Sequence, residues 1–256
     1  MKKINKSLPP NPLTEFYDSY EKGSWNNFRD HSDSYDRLKE LIFLDQGGLC
    51  GYCEDDISGL DITKRQIEHF HDKADKDYSI TNWALDWNNV FGVCKGGSDQ
   101  KAKFPTPKNL SCDAHKNHYL DSPITEGVYL NPLEIPYSSI FSFDKATGFL
   151  VPNEEVCKLL DEYKPNNYSN FKELVDETIK VLNLNCDRLA LKRRLILFEY
   201  NRIIQRAREM NNTKIREQLT EHWFQKKWPS FFTVRRYLLG EIAEQYLAGN
   251  GYSGPE

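Results

Sequence analysis

"VFGVCKGGSDQK", residues 90–101, looks like a metal-binding motif with a piece missing. Cys94 stands where a metal-binding Cys-x-x-Cys pair would begin, but the second cysteine position holds Gly97. A complete pair lies upstream in "CGYC", residues 50–53, a turn that can aim the thiolates of Cys50 and Cys53 at one ion. The same pair also suits two buried thiols. A four-sulfur set needs two more ligands, and Cys94 and Cys112 are the nearer ones. Cys157 and Cys186 lie far downstream in helix-like segments and read as ordinary buried thiols.

With 256 residues, 28% of them charged and 39% hydrophobic, the chain has room for one large domain or two small ones. No apolar run approaches the ~20 residues of a membrane span. The opening "MKKINKSLPPNP" has basic residues but no apolar core of a secretory signal, so a cytoplasmic location is expected. Six cysteines in that setting point to free thiols or metal ligands. The net charge of −4 argues against coating nucleic acid over the whole surface, but a local basic patch is compatible with it. Between Asp187 and Arg216 nine Lys or Arg face three acids.

The first dozen residues read as an extended arm. Helical spacing of Tyr35, Leu38, Leu41 and Ile42 predicts a helix over 33–46, stopped by Gly47 and Gly48. Residues 50–120 read as short elements rich in Cys, His, Asp and Lys, as in a metal-built module. Residues 127–152 read as β structure, with a hairpin around "DKATG" in which Gly148 takes a positive φ. Asn170 and Glu173 resemble a capping box, ahead of an apolar face of Phe171, Leu174, Val175, Thr178 and Leu182. A longer helix is expected over 187–209, then two more over 213–227 and 231–247, separated by Pro229.

Between the cysteine half-sites lies "RQIEHFHDK", with Glu68-His69 expected at the end of a short strand. Glu68 offers a hard oxygen ligand suited to magnesium, and His69 can accept a proton from water. Sulfur-bound zinc and oxygen-bound magnesium can then coexist in one module.

The order "CGYC" (50–53), "IEHF" (67–70), "WNNVFGVC" (87–94) and "CDAHK" (112–116) resembles the HNH endonucleases, whose core is a ββα-metal hairpin and helix. Within that superfamily the extended pattern, with "TIKVLNLN" at 178–185, is similar to the HNH nucleases of Septu-type and retron-associated anti-phage systems of bacteria. The nuclease resemblance covers about residues 35–123. In the compact family pattern the second Cys-x-x-Cys is followed by Asn or His and then by Lys three residues later. Reading "CKGGSDQK" that way puts Gly97 at the cysteine and Ser98 at the ligand. Reading "CDAHK" keeps Cys112, Asp113 and Lys116 at the proper spacing and leaves a 17-residue loop between Cys94 and Cys112. Loop closure entropy grows slowly with length, and metal coordination outweighs it.

The resemblance therefore implies one zinc held by Cys50, Cys53, Cys94 and Cys112, and a catalytic magnesium or other divalent cation held by Glu68 and Asp113. An Asp at the second of these positions departs from the usual Asn or His. His69 becomes the general base and Asn89 the residue that orients it, ahead of its neighbour Asn88. His71, His115, Lys73 and Lys116 are candidate nucleic-acid contacts, as are His118, Lys101, Lys103 and Lys108, each also readable as a solvated loop residue. Arg188, Lys192, Arg193, Arg194, Arg202, Arg206 and Arg208 can hold DNA, meet an acidic partner or simply face solvent.

The expected architecture is α+β: an arm, helix and nuclease module over 1–125, and a hairpin and helical region over 126–256 for partner or nucleic-acid binding. The expected function is DNA endonuclease of an anti-phage complex, beside an ABC/SMC-like ATPase subunit and, in retron versions, a reverse transcriptase with its nucleic acid. A non-catalytic zinc-built binding module and an RNA nuclease are the alternatives.

Overall fold

A computed structural model of the chain describes residues 1–59, 65–75, 81–120, 124–225 and 228–252. The strand expected to end in Glu68-His69 forms as β1 (Arg65–His69) and pairs antiparallel with β2 (Val90–Cys94), with Glu68 opposite Phe91 and His69 opposite Val90. The β2 run "VFGVC" is apolar on both faces and buried throughout, as expected of a strand covered on two sides. Its Gly92 is required: a Cβ there would lie 2.5 Å from the Phe43 ring.

That ring belongs to α3 (Ser32–Asp45), which fills the predicted 33–46 segment. Two helices precede it, α1 (Pro12–Ser19) and α2 (Trp25–Asp30), in a stretch that carries little periodicity. Each starts on a capping box, Asn11 with Thr14 and Ser24 with Asn27. Their apolar faces join Leu38, Ile42, Leu85, Trp87 and Val90 in a small core. The first residues are extended as expected but docked, with Met1 and Ile4 buried and the Ile4 amide donating to the Pro132 carbonyl at 2.8 Å.

Beyond β2 the 95–111 excursion leads into α4 (Cys112–Tyr119). Residues 127–140 are turns rather than the expected strands, because Pro132 and Pro136 have no amide for a ladder and Asn131 caps Leu133 instead. The hairpin itself forms as β3 (Phe141–Phe143) and β4 (Leu150–Pro152), with Gly148 at φ +82°. Next come α5 (Glu154–Leu159), α6 (Phe171–Val181) capped by Asn170, and α7 (Asp187–Glu209).

Of the predicted 213–227 helix, α8 covers Ile215–Phe224, and residues 226–227 lie outside the described part. The predicted 231–247 helix is two: α9 (Phe232–Leu239) and α10 (Glu241–Gly249), broken at Gly240, whose φ of 62° and ψ of −136° no helix accommodates. The main core runs from Met1 and Ile4 through the four clustered cysteines to Phe171, Leu189, Phe232 and Tyr252. The mixture of helices with two small two-stranded sheets agrees with the expected α+β class. No described helix is long and apolar enough to cross a membrane.

Candidate metal centre and catalytic pocket

The loop geometry that sequence left open is closed by backbone contacts. Gly96 and Gly97 take φ of 60° and 85°, turning the chain out of β2. At the far end the Ser111 amide returns to the Gly96 carbonyl at 2.9 Å, so the excursion is cinched at its neck. A Cβ on Gly96 would sit 2.1 Å from the Ser111 carbonyl oxygen. The Cys112 amide donates to the Leu182 carbonyl at 2.8 Å, which fixes the start of α4 against the end of α6.

In consequence Cys50, Cys53, Cys94 and Cys112 meet, all buried, with their sulfurs within 4.8 Å of one another. The separations Cys50–Cys112, Cys53–Cys94 and Cys94–Cys112 are each 3.8 Å. A tetrahedron with metal–sulfur bonds of about 2.3 Å has edges of about 3.8 Å, so the four sulfurs fit one metal ion. Amides of Cys94 and Gly96 donate to the sulfurs of Cys50 and Cys94, both at 3.3 Å, as they would to thiolates. Burial and the neighbouring thiols push the Cys112 thiol well above its usual range. Cys157 and Cys186 lie buried apart from this cluster.

A cavity of about 440 Å³ borders the β1–β2–α4 unit, lined by Glu68, His69, Lys73, Asp113, Lys116 and Asn117 among others. Strand β1 ends so that both Glu68 and His69 border it, and α4 adds Asp113 and Lys116 one turn apart. The Lys116 ammonium lies between the two carboxylates, in direct contact with Glu68 and 3.2 Å from Asp113. Two oxygen donors thus already enclose a positive charge, which is the fit a divalent cation requires. Burial first, and the Asp113 carboxylate second, push the Glu68 carboxyl up to about 8. Burial also disfavours the Lys116 charge, but Tyr129, Glu68 and Asp113 outweigh it and hold the ammonium above its normal range.

His69 is buried, and that burial lowers its pKa to about 3, so the ring is neutral at ordinary pH. Its Nε2 lies 3.2 Å from the Ala84 carbonyl oxygen. A carbonyl only accepts, so Nε2 carries the hydrogen and the lone pair is on Nδ1. Trp25 of α2 packs edge-on against the imidazole, centroids 4.4 Å apart. Asn89 fixes the chain just beyond: its Oδ1 accepts from the His71 amide at 2.7 Å, and its Nδ2 donates to the His71 and Trp83 carbonyls at 3.0 and 2.8 Å. Asn88 is exposed, its amide capped by Asp86.

The other candidates are dispersed. His71 stacks on Trp83 with its ring nitrogens held by Glu126 and Asp75, outside the cavity lining. Those two carboxylates overcome its partial burial and raise its pKa. His115 stacks on Tyr119 and donates from Nδ1 to the Val181 carbonyl at 2.8 Å, facing α6. His118 and Lys101 border a separate cleft on the excursion, Lys108 pairs with Asp187, and Lys103 lies against the Phe104 ring. Along α7 the basic residues divide. Arg194, Arg202, Arg206 and Arg208 are exposed and Lys192 reaches Asp55, whereas Arg188 and Arg193 are buried on the side of the cysteine cluster. Trp25, the Ala84 carbonyl and the two inward arginines were not legible as site residues. A backbone carbonyl has no sequence signature, and a charge pattern does not say which arginine turns inward.

No family model matches the chain. It is 38% identical over 248 residues, 93% of this chain and 93% of the other, to an Escherichia coli protein named "Retron Ec83 putative HNH endonuclease".

Proposed function

This chain belongs to the HNH endonucleases of retron-associated defence, and on that premise we propose that the β1–β2–α4 unit is a ββα-metal nuclease centre hydrolysing phosphodiester bonds of DNA. The observation that carries the reading is the convergence of Glu68, His69 and Asp113 on one cavity beside a four-cysteine cluster. A zinc ion held by Cys50, Cys53, Cys94 and Cys112 builds the module, because their sulfur-only set and spacing suit that metal. Magnesium or another divalent cation belongs to the oxygen donors Glu68 and Asp113. When bound, it stabilises negative charge developing on the phosphate and the leaving oxygen.

The protein's own groups do the rest. His69 accepts the proton of the attacking water at Nδ1, while the Ala84 carbonyl and Trp25 hold the ring in that orientation. Asn89 is a positioning residue, fixing the backbone that follows His69. Lys73 and Lys116 supply positive charge to the phosphate at the cavity. A binding module without catalysis would not need a buried Glu68 and a half-buried Asp113 beside a neutral, oriented imidazole.

In this reading residues 1–125 contain the nuclease module, and residues 126–256 dock a partner or nucleic acid. The partner in this reading is an ABC/SMC-like ATPase of the same system, together with the retron's reverse transcriptase and its nucleic acid. The test is a cleavage assay on plasmid DNA and structured RNA in parallel, with magnesium or with chelator, with and without the ATPase. Magnesium-dependent nicking of DNA is expected. Cleavage of RNA alone would move the substrate class, and cleavage of neither with the full complex would overturn the proposal.

A further inference from the structure

We propose that Arg188 and Arg193 of α7 are the counter-charges of the metal–thiolate cluster, so that metal occupancy and the seating of α7 on the nuclease module are one event. This rests on the reading that the four cysteines hold a divalent ion.

Both arginines are 1% exposed, and a buried guanidinium needs an anionic partner. The carboxylates among the described residues do not suffice. Arg188 has Asp55 at 3.7 Å, and Asp55 is in closer contact with Lys192. Arg193 hydrogen-bonds neutral oxygens, the Asn185 side chain at 3.4 Å and the Gly148 carbonyl at 3.5 Å, and the nearby Glu54 carboxylate is already paired with the Met1 ammonium at 3.2 Å. The Arg188 Nε and one Arg193 Nη are buried without a hydrogen-bond partner. Four thiolates around a divalent ion leave two negative charges uncompensated, which matches the two guanidiniums.

The geometry links them to the sulfurs. Arg188 Nη2 donates to Ser111 Oγ at 2.6 Å, and that hydroxyl lies 3.5 Å from the Cys112 sulfur. A charged Cys53 sulfur lies close enough to favour the charge of both guanidiniums. Gly97 completes the arrangement, because a Cβ there would lie 2.6 Å from Arg188 Nε. The position at which the compact motif has a cysteine is thus the one where α7 inserts a cation. Arg188 also anchors the excursion through its backbone amide, which donates to Asn109 Oδ1 at 3.1 Å.

The experiment compares wild type with Arg188→Met, Arg193→Met and Arg188→Lys. It measures zinc per chain, zinc affinity by competition with a chromogenic chelator, and hydrogen exchange of α7 before and after zinc is stripped. Each Met variant should bind zinc at least tenfold more weakly, the Lys variant should recover most of that loss, and stripping should speed exchange in α7 of the wild type. A purely packing role would lower thermal stability with zinc affinity unchanged in the folded variants, and that result overturns the proposal. So does α7 exchange that is indifferent to zinc, a measurement that stands even where a Met variant does not fold. A wild-type chain that binds no zinc would instead remove the underlying reading of the cysteines.

Discussion

Restoring the cysteine that the compact motif would place at position 97 should damage the protein rather than improve it. In Gly97→Cys the new Cβ would lie 2.6 Å from Arg188 Nε and 3.0 Å from the Asn109 carbonyl oxygen, at a φ of +85°. Holding an L-residue in that left-handed region costs about 1–2 kcal/mol. The guanidinium, 1% exposed, has no open space to enter, and displacing it breaks its bond to Ser111. Loss of a hydrogen bond from a charged group costs about 1.5–3 kcal/mol. Together the penalty is about 2.5–5 kcal/mol, against a typical total stability of about 5–15 kcal/mol. At about 2–4 °C per kcal/mol for a chain of this size, thermal unfolding should fall by about 5–20 °C. Zinc stoichiometry should stay at one ion per chain, and Gly97→Cys should not restore zinc to Cys112→Ser. A Gly97→Cys variant as stable as wild type, or one that rescues Cys112→Ser, would refute the split-motif geometry.

Two other perturbations follow from the same site. Cys112→Ser should lower zinc content and destabilise the fold, whereas Cys157→Ser, remote from the cluster, should leave zinc content unchanged, both read by elemental analysis and thermal unfolding. Because Glu68 is raised from 4.5 to about 8, the folded chain holds a proton that the unfolded chain releases between those values. Its contribution to metal-free stability is therefore greatest below pH 4.5 and is lost as pH rises through 8. Conversely, affinity for the catalytic cation should climb by up to about tenfold per pH unit until pH 8, since the ion must displace that proton. Calorimetric titration with magnesium or manganese at pH 6, 7 and 8 checks this, and a flat profile would count against Glu68 as a ligand.

Long amphipathic elements were readable from the chain itself: the α7 bounds, Asp187–Glu209, coincide with the predicted 187–209 because Leu189, Ile196, Tyr200, Ile203 and Ala207 keep one face. Elements set by tertiary contact were not. The 231–247 segment has helical periodicity throughout, but Gly240 adopts a conformation outside the helix and divides it. Short α1 and α2 depend on capping side chains and on packing against α3 rather than on periodicity. At the site, residue types and spacing indicated the cysteines, Glu68, His69 and Asp113. The ring of His71, by contrast, is held by Glu126, 55 residues away, a partner that no local pattern announces. Two of the α7 arginines look in sequence like any others on a basic helix, and only the fold turns them inward.

Nuclease chemistry at this cavity depends most directly on His69. The measurement is magnesium-dependent nicking of supercoiled plasmid by His69→Ala, in the complete complex, with zinc content and thermal unfolding recorded on the same sample. A folded, zinc-replete protein that no longer nicks is expected. Wild-type-like cleavage by that variant would contradict the role of His69 as the general base.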